Sequence, residues 1–375
     1  MFLRRIFSLA AAIFAVMAVV LWATDTRASE PVPAEISDAA FWKLITAMSE
    51  PDGQFSYENF LSNELQYQYV IPDLKAKVQP GGAYIGVAPE QNFTYITAVQ
   101  PKIAFIIDIR RQNMIELLMY KTVFELARDR GEFLSLLFSR KRPAGITAKT
   151  SVDQLFQAFA GTERDPDLQQ STLQAIQERL LEKHQFGLTT ADIKNIGYVF
   201  GIFYKDGPNM NYSSGTSGTA PQGGMPSYLE LMEADDSHGM KRSFLASEEN
   251  YRLVREMELK NLIVPLVGDF AGPKTIRAIG QYLREHDTTV SAFYVSNVEQ
   301  YLYSDGKLLE FFKNVATLPM NSSSTFIQAF GPNGGGITFT GGNGFQSMIS
   351  SMMDVVKVCA AGSGCDYSVV RQMSK

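Results

Sequence analysis

Residues 103–109, Ile-Ala-Phe-Ile-Ile-Asp-Ile, are apolar at every position but one, and residues 82–88 and 262–267 read the same way. A strand with one face in water alternates apolar and polar side chains. A strand apolar throughout is covered on both faces, as in a parallel sheet held between two layers of helices. Each run is followed by a helical stretch: residues 91–99 after the first, 114–137 after the second and 273–285 after the third. Residues 289–295 and 325–330 read as two further strands, with largely helical sequence at 298–314 between them. Strands that alternate with helices predict an α/β fold, a Rossmann-like three-layer α/β/α sandwich with a mostly parallel sheet.

The interval between the second and third strands, about residues 140–259, is far longer than a crossover requires. It reads as a long, largely helical insertion, with Leu155, Phe156, Phe159, Leu173, Ile176 and Leu180 in apolar helical positions over residues 151–183 and a Gly/Ser/Pro-rich loop at 207–226. The α/β domain is expected over residues 72–375, preceded by a helical extension at 29–71 with helices at 37–48 and 56–69. The glycine-rich stretch 331–344 lacks the Lys-Ser/Thr ending of a phosphate-binding loop and reads as a loop or hairpin.

The first 28 residues carry Arg4 and Arg5 ahead of an uncharged apolar stretch from Ile6 to Ala23, the pattern of an export signal. Cleaved, it is a signal peptide; retained, it is an anchor in the inner membrane, since about 20 apolar residues span the hydrocarbon. Either way the paired arginines keep the N-terminus cytoplasmic, and the rest is expected to be periplasmic or anchored facing the periplasm. A formal charge of -5 gives no basic field for phosphate backbones, so nucleic acid is not an expected partner. Cys359 and Cys365 can close a local disulfide in an oxidising compartment. His184, His238 and His286 have no zinc-ligand spacing with these thiols, and no metal is expected.

Ligands of open parallel sheets bind in the crevice beyond the carboxyl ends of the strands, where strand order reverses. The first strand here runs into Gly86-Val-Ala-Pro-Glu-Gln-Asn92, the second into Asp108-Ile-Arg-Arg111, the third into Gly268-Asp-Phe270 and the fourth into Ser296-Asn-Val-Glu-Gln-Tyr301. All four ends are polar. Residues 84–96 (YIGVAPEQNFTYI), 107–111 (IDIRR) and 295–302 (VSNVEQYL) resemble the signatures of a poorly characterised bacterial family whose fold is similar to that of class I S-adenosylmethionine methyltransferases. The resemblance covers about residues 72–140 and 259–330.

That resemblance implies S-adenosylmethionine, or a related nucleoside, as the cofactor. Gly86, Pro89, Glu90, Gln91 and Asn92 would form the loop under its methionine part, with Gly86 allowing close backbone approach. Asp108 would accept hydrogen bonds from both ribose hydroxyls. Asp269 would sit near the adenine, and Asn297 and Glu299 would face the transferred methyl group and the substrate, where a general base can act. The chain departs from the methyltransferase pattern at Ala88 and Pro89, where such a loop carries further glycines, and at Glu90, a carboxylate that favours a sulfonium cation or repels the cofactor's own carboxylate. The alternative is a non-enzymatic envelope scaffold or binding protein that retains the fold.

Overall fold

The computed structural model of the chain describes residues 30–215, 225–331, 344–360 and 365–374. The export segment, residues 216–224 of the loop expected at 207–226 and residues 332–343 of the stretch expected at 331–344 lie outside the described residues. Among the described residues no helix is long and apolar enough to cross a membrane.

Five strands run parallel: β1 (Ala83–Val87), β2 (Ile103–Asp108), β3 (Ile263–Val267), β4 (Val290–Ser296) and β5 (Thr325–Phe330). A sixth, β6 (Gln346–Ser351), pairs antiparallel with β5, and the order across the sheet is β3-β2-β1-β4-β5-β6. The fold is α/β, a Rossmann-like sandwich with a mostly parallel sheet. Strand order reverses between β1 and β4: the chain leaves β1 towards β2 on one side and leaves β4 towards β5 on the other. Both faces are covered, as the unbroken apolar runs require. On β4, Phe293 packs against Phe311 on one face while its neighbour Tyr294 meets Tyr95 on the other.

The expected helices are largely present. Ser37 caps α1 (Asp38–Met48), and the chain continues through α2 (Ile71–Lys77), α3 (Gln91–Val99), α4 (Arg111–Leu126) and α5 (Arg130–Phe138). The insertion supplies α6 (Val152–Ala160), α7 (Pro166–Glu178), a π-helical turn at Arg179–Lys183, α8 (Thr190–Asp206), α9 (Tyr228–Glu233) and α10 (Glu248–Leu259). Beyond β3 come α11 (Thr275–Glu285), α12 (Val298–Ser304), α13 (Leu308–Val315), α14 (Met352–Cys359) and α15 (Tyr367–Gln372). The expected helix at 298–314 is split in two, with Gly306 at φ +68° in the turn between the halves. Cys359 and Cys365 form a disulfide across Cα atoms 4.3 Å apart, joining α14 to the approach to α15.

Residues 56–69 are not the helix the sequence suggests. They form turns and irregular chain that lies along the carboxyl edge of the sheet, with Asn59 in the left-handed region at φ 50°. Partners in the α/β body outcompete a local helix here. The Ser62 N–H donates to Glu90, the carbonyls of Tyr57 and Glu58 accept from Arg110, and the Glu64 carboxyl accepts from Tyr294. Helix propensity is a weak prior that such contacts override.

Candidate functional site

The carboxyl ends of β1 to β4 and the segment 54–64 enclose a cavity of about 490 Å³, within the ordinary range for small-molecule sites. It opens where strand order reverses. Ala88 follows β1 with φ 62° and Ser296 ends β4 with φ 51°, so the two strands that flank the reversal both finish in a left-handed residue that is not glycine. Such conformations cost of order 1–3 kcal/mol each and are held only by surrounding structure.

The sequence-predicted residues divide into two groups. Asp108, Asp269, Asn297 and Gln91 line the cavity. They come from the ends of β2, β3 and β4 and from the first turn of α3, and the sheet brings them together across some two hundred positions of sequence. Gly86, Pro89, Glu90, Asn92 and Glu299 do not line it, and their surroundings show what they do instead.

Asn92 is fully buried and its amide Nδ2 donates to the carbonyls of Val87, Ala88 and Pro89, each at 2.8 Å, while its Oδ1 accepts from the Tyr84 hydroxyl at 2.8 Å. It knots the turn after β1. Gly86 makes room for that side chain rather than for a ligand: a Cβ there would stand 1.8 Å from Asn92 Oδ1 and 2.9 Å from the Tyr84 ring. Gly86→Ala is therefore expected to destabilise the fold by about 2–4 kcal/mol, through overpacking and lost buried hydrogen bonds. Urea unfolding checks this, and because both substitutions break one knot, Gly86→Ala with Asn92→Ala should cost less than the sum of the two.

Glu90 is fully buried, and both its carboxyl oxygens lie 3.3 Å from the Ser62 amide. Burial pushes its carboxyl up to about 8, against the pull of the backbone amides. Glu299, expected beside the reacting group, is 1% exposed and turned into the protein, where both its oxygens accept from Gln328 Nε2 at 3.0 and 2.8 Å. Gln328 Oε1 in turn accepts from Ser350 at 2.7 Å and from Ser374 at 2.8 Å. Burial pushes the Glu299 carboxyl up to about 8, and its visible work is to anchor the C-terminal residues to β5.

Asp108 does line the cavity, but a neighbour already grips it. Its Oδ1 accepts from the Arg110 backbone N–H at 2.8 Å and from Nε at 3.1 Å, and its Oδ2 accepts from Nη2 at 3.1 Å. One lone pair on Oδ2 is left for a ligand hydroxyl, where the sequence reading had expected room for two ribose hydroxyls. Arg110 is 6% exposed, and its Nη1 reaches the Tyr57 and Glu58 carbonyls, so the pair also fastens the segment 54–64 over the cavity. Asp269 sits at the rim, 3.6 Å from Lys307 Nζ.

Sequence reasoning missed the N-terminal contribution altogether. The Glu50 carboxylate accepts the backbone N–H groups of Asp269, Lys274 and Thr275 at 2.9, 2.7 and 3.2 Å, which fills the N-terminus of α11. Asp52 accepts the Arg111 N–H at 2.7 Å and does the same for α4. Helix N-termini at this edge of a parallel sheet are natural phosphate sites. Here the protein's own carboxylates occupy two of them, and buried Glu90 stands at the third, before α3. Glu64, also missed, contributes a carboxyl to the cavity wall from the covering segment, and the turn between α12 and α13 contributes the Asp305 carboxyl and the Lys307 ammonium. No local motif marks any of these positions.

A family model described as a domain of unknown function, DUF7790, matches residues 57–362. The chain belongs to this family. The DUF7790 match takes in all five parallel strands, from the covering segment at Tyr57 through the insertion to α14. It does not identify a methyltransferase family. No curated protein matches the chain. Among the described residues no group of three or more His, Cys, Asp or Glu side chains is placed to hold a metal ion.

Proposed function

We propose that the strand-end cavity binds a neutral or cationic nucleoside-type ligand, with S-adenosylmethionine the candidate that the sequence resemblance names and methyl transfer the activity to test. The observation that carries the reading is the charge of the wall. Among the described residues that line it, Glu64, Asp108, Asp269 and Asp305 stand against a single cation, Lys307, and carboxylates occupy the N-termini of α4 and α11. Such a site repels nucleotides that carry several phosphates and attracts a sulfonium or ammonium. Phe55, Phe270, Tyr212 and Tyr301 add ring faces and edges for a planar base. Asp108 Oδ2 offers one acceptor to a ribose hydroxyl, and Asn297 stands next to Ser296 at the reversal point, with Glu299 too deep to touch a substrate.

Calorimetry on the purified protein tests this. S-adenosylmethionine and S-adenosylhomocysteine are expected to bind and ADP is not. Absence of heat and of thermal protection with either nucleoside at millimolar concentration would overturn the reading.

The second reading is a non-enzymatic binding protein or scaffold of the cell envelope, reached through the N-terminal export segment. What favours it is the full engagement of Asp108 Oδ1 by Arg110 and the plugging of the helix N-termini by Glu50 and Asp52. Asn297→Ala separates the two: an enzyme loses turnover while it stays folded, whereas a scaffold loses nothing.

A further inference from the structure

We propose that Glu64 and Gln91 form a subsite for a primary ammonium group, so that the ligand of this cavity carries an amine. Both side chains line the cavity and each is 1% exposed. The Tyr294 hydroxyl links them: it accepts from Gln91 Nε2 at 3.0 Å and donates to Glu64 Oε1 at 2.8 Å. That chain of bonds fixes which way the amide faces. A hydroxyl has one proton, and here it goes to the carboxyl, so Gln91 must turn its NH₂ to Tyr294 and leave its carbonyl oxygen for another donor.

The result is two buried acceptors with nothing to accept. Glu64 Oε1 also receives the Ser296 hydroxyl, but among the described residues Glu64 Oε2 and Gln91 Oε1 have no hydrogen-bond partner. The Ser347 hydroxyl approaches the carboxyl and pulls against its burial, yet it makes no hydrogen bond of acceptable geometry. Leaving such groups unmet costs about 1–3 kcal/mol each, more for a charged one. Among the described residues no Lys, Arg or His forms an ion pair with Glu64. The titratable groups that surround it are Tyr84 from β1, Glu90 and Tyr95 from the start and body of α3, and Tyr294 from β4, none of them a cation.

Two open acceptors call for a donor. A ligand hydroxyl brings one proton for two positions, and a carboxylate or phosphate brings none and adds repulsion. A primary ammonium brings three protons and the positive charge that the wall lacks. Burial raises the Glu64 carboxyl above its ordinary range, with Ser296, Tyr294 and Ser347 in partial opposition, and an ammonium beside it favours the ionised form.

The choice of nucleoside probes rests on the function proposed above; the subsite does not. Calorimetry compares S-adenosylhomocysteine, which carries the amine, with 5′-methylthioadenosine, which has the same nucleoside and none. In the wild type the first should bind more tightly. Glu64→Gln, similar in volume and checked for an unchanged circular dichroism spectrum, should weaken the first by about 10- to 100-fold and leave the second unchanged. Equal losses for both probes, or none for the first, would overturn the subsite. Thermal unfolding with methylammonium chloride against tetramethylammonium chloride at equal ionic strength is independent of any nucleoside. Methylammonium should raise the wild-type Tm more, and the difference should vanish in Glu64→Gln. If neither nucleoside binds, the nucleoside reading falls and this second comparison still decides the subsite, since equal shifts from the two salts refute it.

Discussion

Arg110→Ala is expected to cost about 3–5 kcal/mol of folding stability, because it leaves the Asp108 carboxylate at the cavity wall without its cation. The wild-type guanidinium makes two side-chain contacts to Asp108 at 3.1 Å and holds the Tyr57 and Glu58 carbonyls, and Asp108 is 4% exposed. Arg110 stays charged because the Asp108 carboxylate outweighs the burial that would discharge it. The same substitution unfastens the segment that covers the cavity. Urea unfolding should show the loss, and amide exchange should rise at residues 54–64 well before it rises in β1 or β2. Replacing both partners with apolar side chains, Asp108→Leu with Arg110→Met, should recover part of the stability, since the cost lies mostly in the stranded charge. Unaltered stability and exchange in Arg110→Ala would refute the fastening role.

The second large effect is expected with pH and centres on Glu125. This carboxylate on α4 lies 3.0 Å from Lys121 Nζ, 3.0 Å from Arg179 Nη1 and 3.0 Å from His184 Nε2, while the other ring nitrogen of His184 lies 2.9 Å from Asp38 on α1. Burial would raise the Glu125 carboxyl, but the His184 contact and the Lys121 charge win and hold it at about 2. A carboxylate whose folded value lies below its unfolded one contributes stability that is fully present above pH ~4.5 and lost as pH falls towards 2, here about 3 kcal/mol. Glu125→Gln should therefore be less stable than wild type at pH 5 and above, and the gap should close towards pH 2. Glu90, Glu258 and Glu299 act the other way. Burial lifts each to about 8, so the folded state keeps protons that the unfolded chain releases, and stability is lost as pH rises from ~4.5 through 8. Together the two limbs place the stability maximum near pH 5. Urea midpoints at pH 3, 5 and 8 check it, and a maximum at pH 8 would refute the assignment of the three buried acids.

The Glu125 cluster also shows how the added elements are fixed to the α/β body. It joins α1, the core helix α4 and the π-helical turn of the insertion around one carboxylate, so N-terminal extension and insertion meet at a single buried charge. Residues 30–64 then do two jobs, one as packing and one as the wall of the cavity. Phe41 and Ile45 are fully buried or nearly so, and Glu50, Asp52 and Glu64 meet groups on the sheet's carboxyl edge.

What could be read from the residues alone followed from local rules. The unbroken apolar runs at 103–109 and 262–267 required cover on both faces, and the helical stretches between them supplied it; α3 and β5 fall on the residues where periodicity places them. The antiparallel β6 was not foreseen, since its burial alternates only in part and glycine-rich sequence precedes it. At the site, chain order combined with the strand-end rule was enough to bring Asp108, Asp269, Asn297 and Gln91 to one cavity. It could not say that Asn92 would spend its amide on three carbonyls, that Glu299 would turn inward to Gln328, or that Arg110 would claim Asp108. Residue type and position determine which groups arrive at the edge of the sheet; which of them face the opening is decided by hydrogen bonds between segments far apart in sequence. Glu64 is the clearest case, because its partner Tyr294 lies 230 residues away and only the folded sheet brings the two together.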